Sequence, residues 1–270
     1  MTQAQNSNIL DGSITVVTGA ARSIGLACAR VMAEQGATVV MADIDVSEGQ
    51  ARCEELQAAG LAVSFHSLDV ASEAAWKTLL DDVLATHGRL DVLVNNAGIC
   101  LPSTLEDLSF DDFKRMTSVN VDGTFLGCRA AILAMRKCAS NDEPAHGSII
   151  NVASIAGQTA IAGLGGYCTS KAAVTNMTKA LAIECAEARE FIRVNSVHPG
   201  TVRSHMTETL YGADYFDNPD NFASVPLKDY ALPEDIADAV VYLASAEARL
   251  VTGSELTVDG GFTAGIGGEF

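Results

Sequence analysis

Apolar and polar residues follow two different periods along the chain. Short apolar-rich runs at 13–17, 37–42, 62–66, 90–94, 147–152, 192–197 and 255–258 predict buried strands. Between them the period lengthens to three or four. Ile24, Ala27, Cys28 and Val31 mark one face of a helix from about Ile24 to Gln35. Trp76, Leu79, Leu80 and Val83 mark a second, which Ser72 can cap, and Ile236, Val240 and Leu243 a third, with Pro233 at its first helical position. Ser47 and Gln50 fit a capping box for a helix ending near Gly60. Longer helices are predicted over about 119–137 and 166–186, the former after a polar turn that contains LEDLSFDDF. Strands apolar on both faces and alternating with helices predict an α/β fold with a mainly parallel sheet covered on both sides.

The rhythm fails between Val202 and Leu232, where two prolines and several Asp and Asn accompany Tyr211, Tyr215, Phe216, Phe222 and Tyr230. About thirty residues without periodicity are too many for a mere connection, so a lid or pocket wall over 202–232 is expected. The first ten residues are polar and expected to be flexible; 11–270 read as one domain without a linker.

Charge narrows the partners. Seventeen Lys and Arg face 34 Asp and Glu, a formal charge of −17, which argues against binding to nucleic acid or an anionic membrane. Any anionic ligand must be held by local donors. The seven cysteines are scattered without metal-ligand spacing, and neither a leader-like segment nor a membrane-length apolar run is evident, so a reducing cytoplasm is expected.

Chemistry gathers at the predicted strand ends. Residues 14–25 read ITVVTGAARSIG: strand, glycine turn, helix start. Such a turn brings backbone N–H groups and a helix N-terminus to an anion, here the expected pyrophosphate of a dinucleotide. Asp43 closes the second strand, where a carboxylate can accept from both ribose hydroxyls and repel a 2′-phosphate, which favours NAD. Arg22 is the opposing signal, since an arginine there can reach a phosphate. Asp69 is either a turn residue or a hydrogen-bond partner for adenine. Tyr167 and Lys171 are four apart on a predicted helix and share a face, so the ammonium is expected to lower the phenol's pKa and fit it for proton transfer. Ser154 can hydrogen-bond the same substrate oxygen. His198 beside Pro199 suits a packing role, while His205 opens the lid segment.

In order, these residues resemble the classical short-chain dehydrogenases/reductases, from about Leu10 to Gly261. TGAARSIG is similar to the family's T-G-x-x-x-G-x-G; NNAG stands at 95–98, YCTSK at 167–171 and Pro-Gly at 199–200. Ser154 precedes the tyrosine by thirteen residues, and Asn120 matches the asparagine that completes the family's tetrad and keeps a water near the lysine. The resemblance implies a single Rossmann-like domain with seven parallel strands and no metal. It places NAD against Gly19, Arg22, Ser23, Ile24 and Gly25; Asp43 and Ile44; Asp69 and Val70; and Asn95, Ala97 and Gly98. It adds Tyr167 and Lys171, then Pro199, Gly200, Val202 and Ser204. It also implies a homotetramer, or a homodimer, through the two long helices and the segment from about Glu255. Ser23 departs from the usual middle glycine of the loop, and Ser204 from the usual threonine.

Substrate preference rests on the variable segment. Between His205 and Asp229, Lys228 is the one basic residue against Glu208, Asp214, Asp217, Asp220 and Asp229, which disfavours anionic carrier-linked substrates. Tyr211, Tyr215, Phe216 and Phe222, with Met206 and Leu210, are expected to wall a pocket for a neutral cyclic, aromatic or steroid-like secondary alcohol or its ketone. The aromatics could instead pack on their own domain. A polyol or sugar dehydrogenase, an NADPH-dependent 3-oxoacyl-type reductase and a dinucleotide-responsive binding or scaffold protein remain the alternatives.

Overall fold

Apolar runs too short for helices pair into one parallel sheet, and the periodic segments between them cover it. The computed structural model describes residues 8–139 and 144–265. In chain order the elements are β1 (Ile14–Thr18), α1 (Ser23–Glu34), β2 (Thr38–Asp43), α2 (Val46–Ala58), β3 (Val63–Ser67), α3 (Glu73–His87) and β4 (Val92–Asn95). Then come α4 (Phe110–Thr117), α5 (Gly123–Lys137), β5 (His146–Val152), α6 (Gly165–Glu187), β6 (Phe191–Pro199), α7 (His205–Tyr211), α8 (Pro233–Ala244) and β7 (Glu255–Val258). The strand order is β3-β2-β1-β4-β5-β6-β7, with every pairing parallel. The order reverses between β1 and β4, so the connections leave those strands in opposite directions and open a crevice at their carboxyl ends.

Alternation along the strands builds two cores. Val17, Val39 and Met41 pack with Cys28 and Met32 of α1 and Ile236 and Val240 of α8. Their neighbours Val16, Val40 and Leu93 face the other way, onto Trp76 and Leu79 of α3 and Met135 of α5. The predicted faces of α3 and α8 are thus the buried ones; on α1 Ala27 and Cys28 are buried, Ile24 and Val31 half-buried, and Met32 lies deeper; Ser72 accepts the Ala75 N–H at 3.2 Å as the cap of α3.

Four expectations change. Asp45, not Ser47, caps α2, accepting the Glu48 N–H at 3.2 Å, and Ser47 lies inside the helix. The expected polar turn over 105–113 instead runs into α4, capped by Ser109, which accepts from Asp112 N at 3.0 Å. Phe110, Phe113 and Met116 repeat every three residues, but the helix has only eight residues and Met116 is the one that is buried. A π-turn over Ser118–Asp122 joins α4 to α5. The segment 202–232 contains α7 and two 3-10 turns, and Phe216, Phe222 and Val225 bury together with Tyr215 and Tyr230 as a small core of their own. Of the first ten residues, 1–7 lie outside the described residues, whereas Leu10 is buried in the α1 and α8 core. Residues 266–270 of the expected intersubunit segment also lie outside them.

Trp76 pins the α3 layer: it is 1% exposed, and its indole N–H donates to Val70 O at 2.9 Å. Trp76→Ala is expected to lower the unfolding free energy by about 3–5 kcal/mol through the cavity and the orphaned carbonyl. Urea denaturation followed by circular dichroism measures this, because fluorescence leaves with the only tryptophan. A loss below about 1 kcal/mol would show that the layer closes over the gap.

Candidate active site

The carboxyl ends of β1, β2, β4, β5 and β6 open into one cleft of about 870 Å³, roofed by the first turns of α7. Gly19, Arg22, Ser23, Ile24, Asp43, Ile44, Asp69, Val70, Ala97 and Gly98 line it. So do Ser154, Tyr167, Lys171, Pro199, Gly200, Val202 and Ser204. Gly25, Asn95 and Asn120, also expected there, lie behind the wall.

At one end the loop after β1 folds onto its own strand. Gly19 has φ +64°, and a Cβ on Gly25 would lie 2.0 Å from Gly19 O, so Gly25 lets α1 pack against the loop and is not itself a wall residue. Arg22 leaves the N-terminus of α1 without a side-chain cap, and the first turn of α1 has no acidic residue. This combination of a tight glycine turn and unfilled helical donors fits a dinucleotide pyrophosphate. The turn after β4 clamps the loop through Asn96, whose Nδ2 donates to Thr18 O at 3.0 Å and to Gly19 O at 3.2 Å. Asn95, the expected groove residue, points instead into the α5 layer, where its Nδ2 donates to Asn151 Oδ1 at 2.9 Å. Strand alternation decides between the two, and the second asparagine of NNAG was the available signal.

Ser23 takes φ +49°, and its Oγ accepts the His205 N–H at 2.9 Å, joining the loop to the start of α7. Asp43 accepts from Ala21 N and Asp45 N, each at 2.9 Å, one per carboxylate oxygen, which leaves lone pairs toward the cleft. Arg22 forms an ion pair with Asp45. Asp69 accepts from Ala71 N at 3.0 Å, so its turn role is real, and it also faces the cleft.

At the other end, α6 presents Tyr167 and Lys171 to Ser154. Lys171 is 5% exposed; its Nζ donates to Val152 O at 2.9 Å and lies 5.7 Å from the centre of the Tyr167 ring. Burial lowers the Lys171 ammonium to about 8. Burial likewise pushes the Tyr167 phenol above its ordinary value, and a hydrogen bond with Ser154 only partly offsets the rise. Burial therefore outweighs the expected lowering of Tyr167: both groups shift toward their neutral forms, and Lys171, at about 8, still keeps its charge at neutral pH. Asn120 is fully buried in the π-turn. Its Oδ1 accepts Ile99 N at 2.8 Å, and its Nδ2 donates to Ile99 O at 2.9 Å and Ser170 Oγ at 3.0 Å. It still adjoins Lys171, because a Cβ on Gly98 would stand 3.2 Å from Asn120 Oδ1 and 3.4 Å from Lys171 Nζ.

Leu101, Ile155, Ile161, Leu164, Met206 and Leu210 give the cleft a large apolar surface, and Arg115 also lines it. Of the four aromatics expected to wall this pocket, Tyr211 does so; Phe216 and Phe222 are 5% and 2% exposed inside their own cluster, and Tyr215 packs against it. Ser204 lines the cleft and caps α7, accepting Thr207 N at 3.3 Å. His205 lines the cleft, whereas His198 is buried in β6.

A family model described as enoyl-(acyl carrier protein) reductase matches residues 19–263. A solved short-chain type dehydrogenase/reductase from Mycobacterium marinum superposes with a TM-score of 0.86 at 35% identity, over 96% of this chain and 99% of that one. The chain belongs to the short-chain dehydrogenase/reductase family. Within that family it is 39% identical to a 3-alpha-(or 20-beta)-hydroxysteroid dehydrogenase of Mycobacterium tuberculosis, over 96% of this chain and 93% of the relative. It is also 39% identical to a cyclopentanol dehydrogenase of a Comamonas species, over 94% and 98%. An NADP-dependent (R)-specific alcohol dehydrogenase of Lentilactobacillus kefiri shares 36% over 94% and 98%.

The raised Tyr167 pKa carries a sign: a group shifted up stays protonated to higher pH. An ultraviolet difference titration of the free protein against Tyr167→Phe is expected to show this phenolate only above the ordinary tyrosine range. A Tyr167 phenolate near neutral pH would reinstate the expectation drawn from spacing.

Proposed function

We propose that this short-chain dehydrogenase/reductase is NAD-dependent and interconverts a neutral cyclic, aromatic or steroid-like secondary alcohol and its ketone. The observation that carries the reading is the convergence of Ser154, Tyr167 and Lys171 beside a large apolar surface, in the same cleft as the Gly19 loop and Asp43. Ser154 and Tyr167 hold the substrate oxygen. In oxidation Tyr167 takes the hydroxyl proton as the carbon gives up hydride; in reduction the neutral phenol donates it. Bound NAD supplies the hydride acceptor and a cationic ring. Lys171, still charged below about pH 8, would hold the ribose hydroxyls of the dinucleotide, and its charge favours the ionised phenol. Asn120, held to Ile99 by both amide atoms and close to Lys171, supports the proton's way out. The segment 202–232 serves as the substrate lid, contributing Met206, Leu210 and Tyr211.

The choice of NAD rests on Asp43, whose carboxylate lines the cleft and would accept from the adenosine ribose and repel a 2′-phosphate, and on Asp45, which occupies Arg22. The hydroxysteroid and cyclopentanol relatives favour a cyclic substrate. An acyl-carrier substrate has less support: Lys228 donates to Ala223 O, and no other basic residue lies between His205 and Asp229 to meet anionic groups. Exposed Phe125 and Leu133 on α5 and Ile183 on α6 support a homotetramer through those helices. Among the described residues no helix is long and apolar enough to cross a membrane, and seven free cysteines suit a reducing cytoplasm.

Turnover with NAD across cyclic alcohols, hydroxysteroids, aryl alcohols, polyols and 3-hydroxyacyl thioesters tests the substrate class. Activity is expected on the first three, and Tyr167→Phe is expected to lower kcat by at least about a hundredfold. Activity confined to NADPH and thioesters, or a loss of only a few-fold in Tyr167→Phe, would overturn the assignment.

Asp43→Asn is expected to narrow the ratio of kcat/KM for NAD over NADP by about tenfold, the scale of one close charge repulsion. An unchanged ratio in a folded variant would place the choice elsewhere.

A further inference from the structure

His198 is the next-to-last residue of β6 and is fully buried, yet both ring nitrogens are engaged. Nδ1 lies 2.9 Å from the backbone carbonyl of Ser154, and Nε2 lies 2.8 Å from Ser196 Oγ. A carbonyl only accepts, so Nδ1 carries the proton. In the neutral ring Nε2 is then the acceptor and takes the Ser196 hydroxyl. Three charged groups surround the ring. Glu255 Oε2, 3.8 Å from Nε2, favours protonation, but Lys179 pairs with that carboxylate and Gln158 Nε2 donates to it at 2.8 Å. Lys171 and Lys179 oppose a second positive charge, and burial lowers the imidazole pKa further. The ring is therefore held neutral in one tautomer.

Ser154 sits between β5 and a single 3-10 turn, Ile155–Gly157. Its carbonyl also accepts Gly157 N at 2.9 Å, and its Oγ accepts Ala156 N at 3.1 Å, which leaves its own O–H to donate. Both of those bonds lie within the turn and move with it. The His198 bond ties the Ser154 carbonyl to a neighbouring strand. Tyr167 is on α6, a different element, so the spacing between the two hydroxyls depends on where the turn is anchored.

We propose that His198 is a positioning residue for Ser154: its Nδ1–H fixes the Ser154 carbonyl, and thereby the direction in which the Ser154 hydroxyl enters the cleft toward Tyr167. This rests on the reading of Ser154 and Tyr167 as the groups that hold the substrate oxygen. Misplacing one such group slows the chemical step while leaving the dinucleotide's own contacts in place.

Two substitutions separate a donor from a space-filler. The Asn amide can place an N–H where Nδ1 stands, whereas Leu fills the volume and donates nothing. His198→Leu is expected to lower kcat by about tenfold, the scale of one lost buried hydrogen bond, with the NAD dissociation constant held within about twofold. His198→Asn is expected to recover most of that loss. Wild-type kcat in His198→Leu, or an Asn variant that folds and is no better than a folded Leu variant, would overturn the proposal.

Heteronuclear NMR of the imidazole nitrogens in the unmodified protein gives a readout independent of activity and of variant folding. The resonance absent from His198→Asn, or from His198→Leu, identifies the ring. A neutral Nδ1–H tautomer is expected, and an Nε2–H tautomer overturns the proposal. If Tyr167→Phe retained turnover, the catalytic reading would fail while the tautomer still reported the His198 to Ser154 bond.

Discussion

Everything at the ligand end of the sheet depends on how closely α1 approaches β1. With a methyl group on Gly25 facing Gly19 O at 2.0 Å, the helix could not start where it does, and the uncapped donors of its first turn would face elsewhere. The same approach lets Asn96 reach across from β4 to Thr18 and Gly19, and lets Asp43 accept the Ala21 N–H. Steric room at one backbone contact thus sets the position of three neighbouring strand ends. The rest of the cleft is hung from those ends.

Legibility from sequence follows how far each feature depends on local pattern. The strands are written as short apolar runs, the buried faces of α3 and α8 in a period of three to four and the cap at Ser72 in its residue type, so they read directly; on α1 the pattern found Ala27 and Cys28 but passed over Met32. The Tyr167, Lys171 and Ser154 grouping was legible because helix spacing and strand ends are local geometry. Asn95 and Asn96 were not separable without knowing which face of β4 each meets, a matter of one residue in register. The aromatics of 202–232 look alike in sequence; burial in a private cluster removed Phe216 and Phe222 from the cleft and left Tyr211 in it. Helix α4 was passed over because it is only eight residues long and its Phe110, Phe113 and Met116 repeat sits among charged residues that read as a polar turn. Its cap, Ser109 with Asp112, was the trace it left.

Electrostatics show a similar division between what is local and what is not. Spacing argues that an ammonium beside a phenol lowers its pKa, and that holds for two groups in water. In the cleft wall burial dominates both groups, so Lys171 falls to about 8 while Tyr167 rises. Lys171 nevertheless keeps its positive charge at neutral pH, in a chain whose overall charge is −17. The one arginine in the glycine loop is occupied, by Asp45.

The bond from His205 N–H to Ser23 Oγ joins residues 182 positions apart in sequence. It crosses from the loop that would hold phosphate to the helix that roofs the substrate end. Neither side can swing outward without giving up that bond, and Ser23 accepts a left-handed backbone to make it. The two halves of the cleft therefore behave as a linked pair of jaws. A displacement at one end of the cleft is thus passed to the other through a single hydrogen bond between segments far apart in the chain.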